Sequence, residues 1–176
     1  IEIIDFALDD RIERAGSWLR HLWRKSGEAF ERPTSADVLY QAGHGVIERA
    51  LRFDVDWVVI ISAMYFHPDL IVMLRRARKK VACVFTESPY DDERQLKLAP
   101  YIDVGGMTER TSLEKFRAVH PNYDYLPHAY DPDLHFPVEG DRPEVVAHDV
   151  VFVGTGFPER VELLLLVDWT GIDFGL

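Results

Sequence analysis

The chain has one cysteine, Cys83, among 176 residues, so no disulfide can form within it. A single thiol suits a reducing compartment. Its place in the apolar run "VACVF" lacks the open, electropositive setting that makes a reactive thiolate. Positive charge is also short: 20 Lys and Arg against 30 Asp and Glu leave a net charge of -10. Such a surface repels nucleic-acid phosphate and anionic lipid. The one basic cluster, Arg75, Arg76, Arg78, Lys79 and Lys80, ends a predicted helix, where cations satisfy the last carbonyls and the helix dipole. No apolar run approaches the ~20 residues of a membrane-spanning helix, and no signal peptide is visible. Internal repeats and low-complexity tracts are missing too. These absences point to a cytoplasmic protein with no nucleic-acid partner and no membrane span.

What is present is an ordinary globular composition, 47% hydrophobic and 28% charged. Strand-like and helix-like segments alternate along it. "IEIIDF" reads as a short buried strand. The following helix, "DDRIERAGSWLRHLWRKSG", places Ile12, Ala15, Leu19, Leu22 and Trp23 on one face, with Gly27 at its C-terminal cap. A second helix runs through "SADVLYQAGHGVIERALRF" with Ser35 as N-cap, and its interior Gly43 and Gly45 mark close packing. "DWVVIIS" and "VACVFT" are continuous apolar strands, the signature of a parallel sheet covered on both faces. Pro68 opens the helix between them. Further on come the helix "DDERQLKLA", the strand "YIDVGG", the helix "TERTSLEKFRAVH" and the strand "YDYLP". "DVVFVG", a helix from Pro158 to about Leu166 and "DWTGIDF" close the chain. The alternation predicts an α/β protein with a doubly wound, Rossmann-like parallel sheet. A Pro-, Gly- and charge-rich stretch divides it into residues 1–135, a linker over 136–148, and a second unit beginning at 149.

Ligands of open α/β sheets bind at the carboxyl ends of the strands. Four such ends carry small, aromatic and hydrogen-bonding residues: Ser62–Phe66, Thr86–Tyr90, Gly105–Arg110 and Leu126–Pro132. Glu87, held before Pro89 in a non-helical conformation, orients a hydroxyl, stabilises positive charge, or caps the helix starting near Asp91. His128 accepts a proton or donates to a substrate oxygen, or bonds a loop carbonyl. Asp131, Asp133 and His135 have the D-x-D spacing of some metal sites, but Asp-Pro-Asp is also a common turn, and no metal is expected. In "DVVFVGTGFPER", Gly154 and Gly156 allow backbone N–H groups to approach an anion at a helix N-terminus. Arg160 lies one turn in with a guanidinium fork for the same phosphate. The third glycine of a dinucleotide fingerprint is replaced by Glu159.

Together, "VFTESPYDDE", "TERTSLEKFRAVHPNYDYLPHAYDPDLHFP" and "DVVFVGTGFPERVELL…DWTGID" resemble the GT-B glycosyltransferases of the CgeB-like, spore-maturation branch, over about Asp56 to Asp173. The resemblance implies two Rossmann-like domains facing a cleft, an N-terminal one for the acceptor and a C-terminal one for a nucleotide diphosphate sugar. It implies transfer of the sugar to a hydroxyl, with neither metal nor other cofactor. Gly154, Thr155, Gly156 and Arg160 are similar to the family's donor-phosphate loop. His128 and Glu87, as catalytic residues, fall on loops that line the cleft from the acceptor side, with Tyr90, Glu109 and Tyr130 on the same wall. A full member has a strand and glycine loop before the position of Ile1 and most of its donor domain after Leu176, so the resemblance implies a truncated chain, inactive alone. Two other classes fit parts of the pattern. One is an NAD(P)-dependent oxidoreductase with Asp173 as the ribose acid, and the other is a non-catalytic flavodoxin-like binding module.

Overall fold

The computed structural model describes residues 2–135 and 148–176, so nearly all of the expected linker lies outside the described residues. Two compact units divide the chain, residues 1–129 and 130–176.

The first unit opens with irregular chain and then helix α1 (Leu8–Lys25), which ends at Ser26 with Gly27 left-handed at φ 71°. That is the glycine stop expected of the sequence. The strand expected in "IEIIDF" does not form over its described residues, 2–6. Among the described residues no neighbouring strand offers it a ladder, and Ile3 is 86% exposed. The long second helix is two helices, α2 (Ser35–Gly43) and α3 (Gly45–Arg52), meeting at His44. Thr34, not Ser35, is the N-cap: its hydroxyl accepts from Asp37 N–H while Asp37 accepts from Thr34 N–H at 2.7 Å. Gly43 is small because Leu70 of the next helix occupies the space a Cβ would need.

Four strands follow, β1 (Trp57–Ile61), β2 (Lys80–Phe85), β3 (Val104–Met107) and β4 (Tyr123–Tyr125), all parallel and in the order β1-β2-β3-β4. Helices α4 (Pro68–Arg76), α5 (Asp92–Leu98) and α6 (Arg110–Arg117) connect them. Sequential parallel order with crossovers of one hand puts connecting helices on one face. The burial pattern agrees. Ile60, Val81, Cys83, Phe85, Met107 and Tyr123 share one core with Leu70, Ile71, Leu74, Leu98, Leu113 and Phe116. The alternate residues Trp57, Val59 and Ile61 point the other way and are 43%, 62% and 66% exposed. Among the described residues the sheet is therefore covered on one face, where the apolar strand runs predicted cover on both. Cys83 is 1% exposed within the core, as its strand setting predicted. No described helix is long and apolar enough to cross a membrane.

The second unit carries β5 (Val150–Val151), α7 (Pro158–Leu165) and β6 (Phe174–Gly175), the two strands parallel. The six-residue strand expected at "DVVFVG" shrinks to two, because β6 is its only partner among the described residues and is itself two residues long. Trp169 stacks on Phe174 at 4.1 Å and donates its indole N–H to Leu164 O at 2.9 Å, tying the helix end to β6.

Candidate functional site

The register Phe85↔Met107↔Tyr125 aligns the carboxyl ends of β2, β3 and β4. Ser62 continues β1 to the same edge and donates its N–H to Val84 O at 3.0 Å. All four rim loops therefore leave one edge of the first unit. Glu87, just after β2, is half-buried, and its Oε1 accepts from Thr86 Oγ1 at 3.2 Å. Its main-chain carbonyl, not its carboxylate, takes the Asp91 N–H at 3.0 Å. The Ser88–Pro89 peptide that follows is cis, and Tyr90 beyond it is 90% exposed.

Glu109 caps α6. Its Oε1 accepts from Thr111 N at 3.1 Å and from Thr111 Oγ1 at 3.2 Å. A carboxylate in that position satisfies a helix N-terminus and complements its dipole. Thr108 beside it donates to Phe85 O at 3.1 Å, binding the β3 end to the β2 end. His128 is exposed and makes no side-chain hydrogen bond among the described residues. Strands β2 and β4 are two positions apart, about 10 Å at the usual strand spacing. Glu87 and His128 thus share a rim without forming a pair. Tyr130, 72% exposed, belongs to the second unit, as do Asp131, Asp133 and His135. The last three form a turn: Asp131 Oδ1 accepts from Asp133 N at 2.9 Å, and Asp131 O from His135 N at 2.7 Å.

Two features of this edge have no signal in the sequence. Ser62 has φ 60° and ψ 96°, an uncommon conformation for a residue with a Cβ, and its Oγ is buried without a partner among the described residues. Asp92, read as part of a helix start, is 6% exposed and bonds Ser112 Oγ at 2.8 Å and Lys115 Nζ at 2.7 Å. Burial alone raises such a carboxyl's pKa, but Lys115 and Ser112, with Ser88, outweigh it and hold Asp92 below the usual carboxylate range.

In the second unit the chain leaves β5 at its carboxyl end, turns through Gly154–Gly156 and enters α7 with Pro158 in its first turn. Thr155 O accepts from Phe157 N at 2.9 Å and from the Arg160 guanidinium at 3.2 Å. That guanidinium also lies over the Phe157 ring, 5.1 Å from its centroid, and has no acidic partner among the described residues. The N–H groups of Gly154, Thr155 and Gly156 are unbonded among the described residues. Neither glycine is left-handed. Gly154 is instead tight, since a Cβ would lie 3.1 Å from the Phe152 ring and 3.3 Å from Arg160. Beside the loop is a concavity of about 680 Å³, polar at Gly154, Gly156 and Arg160 and apolar at Val161, Leu164 and Trp169.

Asp173 precedes β6 and is bound to the start of β5: its N–H donates to Asp149 Oδ2 at 2.9 Å, and its carboxylate meets His148 Nδ1 at 3.1 Å. It therefore lies at the amino ends of these parallel strands, whereas the glycine loop leaves their carboxyl ends. Compared with protein-family models, curated proteins and solved structures, the chain matches none.

Proposed function

We propose that this chain is part of a GT-B glycosyltransferase that moves a sugar from a nucleotide diphosphate to a hydroxyl acceptor. The reading rests on the sequence resemblance, and the glycine loop is the structural observation that supports it. Among the described residues, three consecutive amides without partners and a guanidinium without an acid stand where a parallel strand feeds a helix N-terminus. That arrangement suits a diphosphate. In this reading the second unit holds the donor and the first unit, one half of a doubly wound sheet, presents the acceptor from its carboxyl rim.

The acceptor hydroxyl forms a bond to the anomeric carbon while the bond to the diphosphate oxygen breaks. Negative charge grows on the leaving diphosphate, and donors already fixed in place stabilise it most. Gly154, Thr155, Gly156 and Arg160 supply those donors. His128 takes the hydroxyl proton in an inverting transfer, and Glu87 orients the acceptor or stabilises positive charge at the sugar. No metal or other cofactor enters the scheme. The oxidoreductase reading fits less well, because Asp173 stands at the opposite end of its strand from the phosphate loop.

The experiment is a titration of the 176-residue chain with UDP and, separately, with NAD, followed by amide NMR. UDP is expected to shift Gly154, Thr155 and Gly156. Arg160→Ala should weaken its binding by roughly ten- to a hundredfold, the loss of a charge-assisted contact of about 1.5–3 kcal/mol. Arg160→Lys keeps the charge but not the fork, so it recovers only part. Unmoved loop amides, an Arg160→Ala effect under about twofold, or tighter binding of NAD each rejects the donor-loop assignment.

A further inference from the structure

The β2–α5 loop carries two of the residues assigned to the acceptor side, Glu87 and Tyr90, yet only weak local contacts hold it from within. Glu87 O takes the Asp91 N–H and Glu87 Oε1 takes the Thr86 hydroxyl. The firm attachment is one residue further on. Asp92, in the first turn of α5, reaches across to α6, where Ser112 and Lys115 are three residues apart and so share a helix face. One oxygen, Oδ2, accepts both the Ser112 hydroxyl and the Lys115 ammonium. Ser112 is 0% exposed, and the Asp92 side chain only 7%.

A buried carboxylate is costly unless it is paired and bonded, and an apolar pair of similar volume is often as stable. Global stability is therefore a poor account of why an acid and a lysine meet here. The loop-facing side of the same carboxylate is more informative. Asp92 Oδ1, Ser88 Oγ and both amide atoms of Gln95 are buried and have no well-formed hydrogen bond among the described residues. Gln95 is one helical turn beyond Asp92 and 1% exposed. The Ser88 hydroxyl lies near enough to favour the ionised carboxyl without reaching good hydrogen-bond geometry. Asp92 thus has Ser88 of the loop on one side and Ser112 and Lys115 of α6 on the other, so α6 anchors the end of the loop through one acid.

We infer that Asp92 is a positioning residue: clamped to α6 by Ser112 and Lys115, it sets the place of the rim loop that presents Glu87 and Tyr90. The assignment of that rim to an acceptor rests on the transferase reading, but the clamp itself does not. Breaking it frees Glu87–Asp91 while β2 and the core of α6 stay packed.

The test is site-resolved hydrogen exchange on the 176-residue chain and on its Asp92→Asn, Asp92→Glu and Ser112→Ala variants, with urea unfolding run on each. Asp92→Asn is expected to speed exchange in residues 87–91 by tenfold or more and to leave the amides of β2 and β3 within about twofold. Asp92→Glu, which keeps the charge for Lys115, should recover part of the loop's protection, and Ser112→Ala should give a smaller loop-confined loss. Unchanged loop exchange in Asp92→Asn overturns the inference. So does an increase shared equally by loop and core, which would make Asp92 a structural acid only. If Asp92→Asn fails to fold, Ser112→Ala decides by the same comparison. UDP binding at Gly154–Gly156 should survive in every variant, so failure of the clamp and failure of the transferase reading give different results.

Discussion

A methyl group at Gly105 tests the core packing that places the rim. Gly105 sits on the covered face of β3, beside Cys83 of β2 and Tyr123 of β4. The Tyr123 ring lies directly across it, so a Cβ at 105 would enter the ring's van der Waals envelope. The ring has little freedom to move. Tyr123 is 1% exposed, its centroid is 5.4 Å from Phe116 and 6.0 Å from Phe85, and its hydroxyl donates to Ala99 O at 2.9 Å. Overpacking of this kind costs about 1–3 kcal/mol, and a lost hydrogen bond adds about 0.5–1.5 kcal/mol. Stiffening of the unfolded chain by alanine returns roughly 0.4–1 kcal/mol. Gly105→Ala should therefore destabilise by about 2–3 kcal/mol, lowering the urea midpoint by about 1–2 M at ordinary slopes. Gly106→Ala is the control. Its Cβ would meet Leu126 Cδ2 at 3.0 Å and Leu126 Cβ at 3.1 Å, but Leu126 is 46% exposed at the end of β4, where a shift of a few tenths of an ångström relieves the contact, so the change should stay within about 1 kcal/mol. Tyr123→Leu added to Gly105→Ala should cost less than the sum of the two alone. Equal midpoints for the two alanine variants would refute the one-sided packing of the sheet.

Two further outcomes follow from a buried thiol and a partly buried carboxylate. Cys83 is 1% exposed and burial pushes its thiol up to about 12, so a thiol reagent at pH 8 should label native protein only at the rate of its opening. Rapid labelling without denaturant would contradict its place in the core. For Asp103, burial works to raise the carboxyl's pKa, but the Val81 N–H at 2.8 Å and the Arg75 guanidinium hold it below the usual carboxylate range. A depressed carboxyl contributes stability above its unfolded value of about 3.9 and loses it as pH falls through the folded value. Asp103→Asn should cost about 1–2 kcal/mol at pH 7 and show a flatter urea midpoint below about pH 4 than the parent. Parallel pH curves would remove Asp103 from the acid transition.

Much of the fold was legible because the signals were local. Uninterrupted apolar runs announced β1 and β2, Pro68 opened α4, and Gly27 closed α1. The glycine turn into a Pro-led helix was equally plain at Gly154–Pro158. Errors fell where a neighbour decides. "IEIIDF" has strand composition, but a strand exists only with a partner to bond, and among the described residues none adjoins it. The long helix after Pro33 breaks at His44 in an otherwise continuous helical pattern.

The sequence alone determined the α/β alternation, the parallel sheet and the buried thiol, since each follows from runs of a few residues and their periodicity. Tertiary structure decided which rim residues stand together. Glu87 and His128 are kept two strands apart by the order β1-β2-β3-β4, which no local pattern encodes. It also decided that Asp92 is buried against Lys115, 23 residues away, and that Ser62 bends left-handed at the end of β1. Only the tertiary structure shows the bare apolar face of Trp57, Val59 and Ile61. Side-chain alternation says that a strand has two faces. Which face is covered depends on where the crossover helices go, and that is a property of the whole sheet.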